Sequence, residues 1–218
     1  MTELPALITA FTTLFIIIDP PGLAPLFLAL TQGMSTAQRR AIGLRACLTA
    51  GGLMIVFLFL GEAVLNFIGI SMPAFRIAGG VLLFLTALDM LFQRRQARRK
   101  ESADEGGQEH HDDPSVFPLA IPLIVGPGAI TTIILLAGQA EGAADFAAIG
   151  GVMAANLVLV FGTFLIAPFV ERVLGKVGIN VVTRLLGMLL AALAMAIRPE
   201  AHMRSIVIPP TSSGRPAV

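Results

Sequence analysis

The sequence predicts an all-α membrane protein in which six transmembrane helices form two inverted three-helix repeats, with helices one and four broken. Three observations predict it. The 218 residues are 56% hydrophobic and only 13% charged, with a mean hydropathy of +0.84, far more apolar than a soluble domain of this length. Six apolar segments reach or approach the roughly 20 residues needed to cross a hydrocarbon core about 30 Å thick, at about 4–30, 41–61, 72–92, 116–138, 146–169 and 181–197. Two pairs of short motifs also recur at nearly one spacing along the chain.

Span one opens the chain and interrupts itself at FIIIDPPGLAPLF, residues 15–27. It lacks a basic leader and a small-residue cleavage site, so it is expected to be retained. Proline lacks an amide donor and pushes the residue before it out of the α region, so Asp19 is expected to end one half-helix (Leu4 to Ile18) and cap a second (Pro21 to Leu30). Span two carries Cys47, too solitary for an intrachain disulfide, and span three carries FRIAGG from Phe75. Residues 93–115 then read as a solvated linker in which basic residues give way to acids, glycines and histidines. Span four is broken again at Gly126-Pro127-Gly128, and span five holds Asn156 near its middle. Span six is left with about 17 residues, the lower limit for crossing.

The linker divides the chain into a first repeat (1–92) and a second (116–197), together one membrane domain, followed by a polar tail at 198–218. Pro21 and Pro127 lie 106 residues apart, and Arg76 and Arg184, in FRIAGG and TRLLG, lie 108 apart. Three spans is an odd number, so the second repeat must run in the opposite sense to the first. Inverted repeats with broken helices are a signature of secondary transporters, whose solute site lies between the breaks. Backbone groups freed by the breaks must be buried in protein or line a wet cavity, so neither break is expected to face lipid. Free N–H groups at the restarted helices suit an anionic group such as an amino acid carboxylate.

Asp19 is the one acidic residue well inside a span, and so the expected proton, cation or amine partner. Pro20, Pro21 and Pro127 open the helices, Gly22, Gly126 and Gly128 permit close backbone approach, and Thr131, Thr132 and Asn156 are further candidate polar contacts. Asn156 is equally suited to gluing helices together. A channel-like pore and a non-transporting scaffold or sensor are the rival readings.

Arg39, Arg40, the run at 94–100, Arg172 and Lys176 fall in alternate loops, whereas the loops at 62–71 and 139–145 contain no Lys or Arg. The positive-inside rule therefore places loop 93–115 in the cytoplasm and the N-terminus outside. Arg45, Arg76 and Arg184 are expected to snorkel, or else to pair with Asp19 or Asp89. The run at 94–100 reads as a topology determinant and lipid headgroup contact, not a nucleic-acid patch. Glu109-His110-His111-Asp112-Asp113 does not define a metal site with a second layer of partners. No catalytic or phosphate-cradling motif occurs, so neither an enzyme nor a bound cofactor is expected. Gly51-Gly52 and Gly79-Gly80 would allow close packing within the chain or in a homo-oligomer.

DPPGLAP from Asp19, FPLAIPLIVGPGAITTIILLAG from Phe117, and the paired FRIAGG and TRLLG stretches resemble the MarC family over residues 5 to about 195. The resemblance implies a six-span protein of the bacterial inner membrane within the LysE-type exporter superfamily. It further implies transport of small solutes, with neutral amino acids assigned to some relatives, and proton or sodium coupling would suit such a role. After about Ala194 the chain departs from the family's usual ending.

Overall fold

The computed structural model describes residues 3–95, 97–101 and 113–196. The tail from 197 onward and the His110-His111 pair lie outside them. The described elements are helical: α1 Leu4–Ile18, α2 Pro20–Leu30, α3 Thr36–Ile68, α4 Met72–Leu91, a wide coil α5 Ser115–Ile124, then α6 Pro127–Ala137, α7 Ala143–Leu165 and α8 Ala167–Ala196. Residues 94–95 and 97–101 are helical as well. Five spans, with α1 and α2 as one, are long and apolar enough to cross a membrane, and α5 with α6 makes a sixth bent by 63°.

Each long helix turns one stripe inward. On α3 the buried stripe is Ile42, Ala46, Ala50, Met54, Leu58, Gly61 and Leu65; on α4 it is Gly79, Leu83, Ala87 and Met90. On α8 it is Ile179, Thr183, Gly187, Leu190 and Ala194. Steps of three and four residues follow the α-helical period, and the small members let backbones approach. The opposite faces expose Leu48, Phe67, Val158, Phe169 and Val177, an apolar exterior that suits hydrocarbon and would be untenable in water.

Spans one and five run side by side in the same direction, and span two runs opposite to them. Phe27 at the end of α2 stacks on Phe164 at the end of α7, with centroids 4.3 Å apart, and both lie against Gly43 near the start of α3. Arg45 on α3 pairs with Asp113 at the entrance to α5, not with either of the carboxylates expected for it. Burial is the largest single influence on Asp113 and opposes its charge, but the Ser115 bonds and the Arg45 guanidinium together outweigh it and hold the carboxyl below its usual range. These contacts mark one end of the bundle; Met72 against Gly138 marks the other.

The last span is longer than the sequence suggests. Gly175 alone takes the turn (φ 59°, ψ 178°), in a conformation that favours glycine, and the helix resumes through residues 176–196. The stretch KVGIN, which looks like loop, is thus helix, and the span gains a turn at its start.

Candidate functional site

Asp19 stands alone between α1 and α2 in the left-handed region (φ 56°, ψ 64°) and is fully buried. Asp is among the few residues that enter this region readily, and Pro20 excludes the α-helical alternative. Its amide closes the last turn of α1 on the Phe15 carbonyl, and its carboxylate accepts from the Gly22 amide at 3.3 Å. Asp19 therefore serves as C-cap to one helix and N-cap to the next. The anion at the restart of α2 is thus the protein's own side chain.

The two prolines have a further effect. Pro20 and Pro21 have no N–H, so the Ile16 and Ile17 carbonyls lose their α-helical donors; Gly22 gives its amide to Asp19, and Ile18 loses its own. At the second break, Pro127 likewise deprives Leu123. Two arginines after α4 serve three of these four carbonyls. Arg95 donates to the Ile17 carbonyl and touches Met90 Sδ at 3.1 Å, which puts the first break level with the last turn of α4. Arg99 donates through Nη2 to the Ile18 carbonyl at 2.8 Å and the Leu123 carbonyl at 3.5 Å, and through Nη1 to Asp19 Oδ2 at 3.4 Å. The Thr183 hydroxyl on α8 approaches both Asp19 carboxylate oxygens at 3.3 Å.

The site therefore joins both breaks, α8 and the segment after α4, with its positive charge set against the negative end of the α1 dipole. The reading of 93–115 as wholly solvated is corrected: Arg99 is buried and Arg95 half-buried. Their spacing of four residues puts both on one face of a helical turn, while Arg94 and Arg98 on the other faces stay exposed. The pairings proposed for Asp19 and Asp89 are also corrected, since Asp19 meets Arg99 and Asp89 meets Arg98 at 2.6 Å. Arg184 is exposed and Arg76 partly so.

The remaining candidates divide. Pro20 and Gly22 are buried at the first break and Pro21 is half-buried. Gly128 is buried where a Cβ would stand 3.2 Å from Ile17, so it brings the start of α6 against the end of α1. Gly126 is half-buried and Pro127 exposed. The second break is thus open on one side, where enclosure was expected. Pro127 is exposed at that 63° bend, and a proline has no N–H to leave unsatisfied there. Thr131 packs on Gly79, and Thr132 bonds the Gly128 carbonyl at 2.9 Å, within its own helix.

Asn156 is buried but lies elsewhere: its amide bonds Val152 at 3.0 Å and the Phe11 carbonyl at 3.4 Å, eight residues before Asp19 on α1. That contact ties α7 to α1, and Asn156→Leu is expected to change thermal stability by about 1 kcal/mol or less. A loss several times larger, in unfolding of the detergent-solubilised protein, would show that the amide does more than pack.

Sequence reasoning missed Arg95, Arg99 and Thr183 as site residues. Thr183 carried a signal, being the one polar member of the inward stripe of α8. The comparisons place the chain among integral membrane proteins. A model of the MarC family of integral membrane proteins matches residues 4–202. A membrane protein of Archaeoglobus fulgidus is 39% identical over 85% of this chain and 87% of its own length. Bacillus subtilis YvbG is 34% identical (88% and 91%), and the Escherichia coli inner membrane protein YhgN is 35% identical (86% and 91%). No solved structure matches. With the family model spanning nearly the whole chain and relatives this similar over most of it, the protein is a multi-pass membrane protein that belongs to the MarC family.

Proposed function

We propose that the chain is a secondary transporter of small solutes, neutral amino acids among them, working in the inner membrane with its N-terminus outside and the arginine-bearing end in the cytoplasm. The observation that carries this reading is the buried Asp19 carboxylate, set in a helix break and in contact with groups from both halves of the chain. A buried charge is costly, and in a membrane protein it ordinarily marks a solute or ion pathway.

An inverted repeat is supported by the way the halves interlock. Helix α3 packs on α5 and α6, while α7 packs on α1 and α2, so each second helix grips the broken span of the other half. The α4–α8 seam is nearly symmetric: Gly187 lies against Ala87, and a Cβ on Gly80 would lie against Ala194. Exchanging the halves at a spacing of 107 would carry one contact onto the other. Alternating access would then be one repeat rocking against the other around Asp19.

The test is flux of labelled neutral amino acids in liposomes, with and without an imposed proton or sodium gradient. Asp19→Asn is the informative variant, because Asn tolerates the left-handed turn and can still accept from Gly22. Gradient-driven flux is expected in the parent and a loss of at least about tenfold in the variant. Equal flux in both would remove Asp19 from the mechanism. If no solute moves, the long-loop scaffold or sensor becomes the better reading.

A further inference from the structure

We infer that the oxygen-lined cradle around Asp19 is a binding subsite for an organic cation, with Arg99 as its built-in occupant, displaced when the ammonium or guanidinium group of a solute enters. The inference rests on the proposed solute site and supplies its ligand class and its gate.

The Arg99 guanidinium donates to acceptors alone, the Asp19 carboxylate and the Ile18 and Leu123 carbonyls, while the Thr183 hydroxyl approaches the carboxylate and Arg95 serves the neighbouring Ile17 carbonyl. Pro127 deprives the Leu123 carbonyl of its α-helical donor, and the Gly22 amide, turned to Asp19, leaves the Ile18 carbonyl, so both carbonyls stand as acceptors whether or not the arginine is there. Arg99 fits them loosely. One of its three contacts is short, at 2.8 Å, and the others, at 3.4 and 3.5 Å, exceed the usual 2.7–2.9 Å of charge-assisted bonds. A free cation able to centre itself would be held at least as well.

The element that carries Arg99 is built to leave. It belongs to no span, and Ala97, Arg98, Lys100 and Glu101 are exposed. No apolar side chain of residues 97–101 is buried, so polar and ionic contacts hold this segment in place, chiefly those of Arg95 and Arg99. Withdrawing Arg99 alone would strand the Asp19 charge in the core, which opposes opening of the empty protein. A replacement cation removes that barrier, so the gate opens on exchange.

The experiment uses the full chain in nanodiscs and methylguanidinium as probe. In Arg99→Ala the probe is expected to raise the thermal midpoint saturably, by about 5 °C or more, with no such rise from urea or choline chloride. The Asp19→Asn, Arg99→Ala double variant should lose the response. Absence of a saturable rise in Arg99→Ala, or an equal rise in the double variant, would overturn the subsite.

Exchange is read separately in a Cys47→Ala background with Arg99 intact, by spin-label distances between Lys100→Cys and Leu44→Cys. A longer-distance population should grow with methylguanidinium and be absent with choline. An unchanged distribution at probe levels that saturate Arg99→Ala would refute the gate. Neither readout requires transport, so an absence of flux in liposomes would count against the transporter while leaving this inference to its own tests.

Discussion

Arg99→Ala is expected to destabilise the protein by about 3–5 kcal/mol, because it leaves the Asp19 carboxylate buried without its counter-ion. The Ile18 carbonyl would lose its donor at the same time. Thermal or denaturant unfolding in detergent measures the loss, and a double-mutant cycle identifies its origin. Asp19→Asn combined with Arg99→Ala should recover much of it, since no charge then remains to be compensated. Arg98→Ala provides the contrast. Its side chain is 71% exposed and its bond to Asp89 lies at the surface, so it should cost less than about 1 kcal/mol. If Arg98→Ala and Arg99→Ala cost the same, the buried pair is not what secures the breaks.

Gly187→Val is the second large effect. A Cβ at Gly187 would stand 2.8 Å from Met90 Cβ, 3.1 Å from the Ala87 carbonyl and 3.3 Å from the Leu91 amide. Two of those atoms are backbone and cannot turn aside, so α4 and α8 must separate. A loss of about 3 kcal/mol is expected, with poor recovery of folded protein. Gly61 is the informative comparison. A Cβ there would meet Ile134 Cγ1 at 2.4 Å, closer still, but against a side chain with other rotamers available. Gly61→Ala should therefore cost less than Gly187→Val, despite the shorter distance. The reverse order would mean that the α4–α8 seam yields more easily than a side chain does.

The spans were legible in the sequence because bilayer thickness fixes helix length, and the turn at Asp19 because proline chemistry is local. Gly175 was less so: KVGIN contains two features of a loop, yet Ile179 within it is buried on the inward stripe of α8 and the stretch is helical. The ends of the arginines were not legible at all. Arg94, Arg95, Arg98 and Arg99 are alike in composition, and which of them turns inward depends on the phase of a short helix and on four orphaned carbonyls at distant positions. The signal lies in the carbonyls. Each proline in a span names a donorless oxygen four residues earlier, and counting those at Ile16, Ile17 and Leu123 predicts that a multivalent donor must come from elsewhere in the chain.

That donor arrives late. Arg99 lies 80 residues after Asp19, and Thr183 lies 164 after it. At roughly 5–20 residues per second of synthesis, the first span waits about 4–16 seconds for its guanidinium and longer for its hydroxyl. During that interval it carries an acid and donorless carbonyls with no partner yet made. The partner that completes the first break is thus supplied by the linker and not by the next helix, so the buried pair can form only after the first three spans have been synthesised.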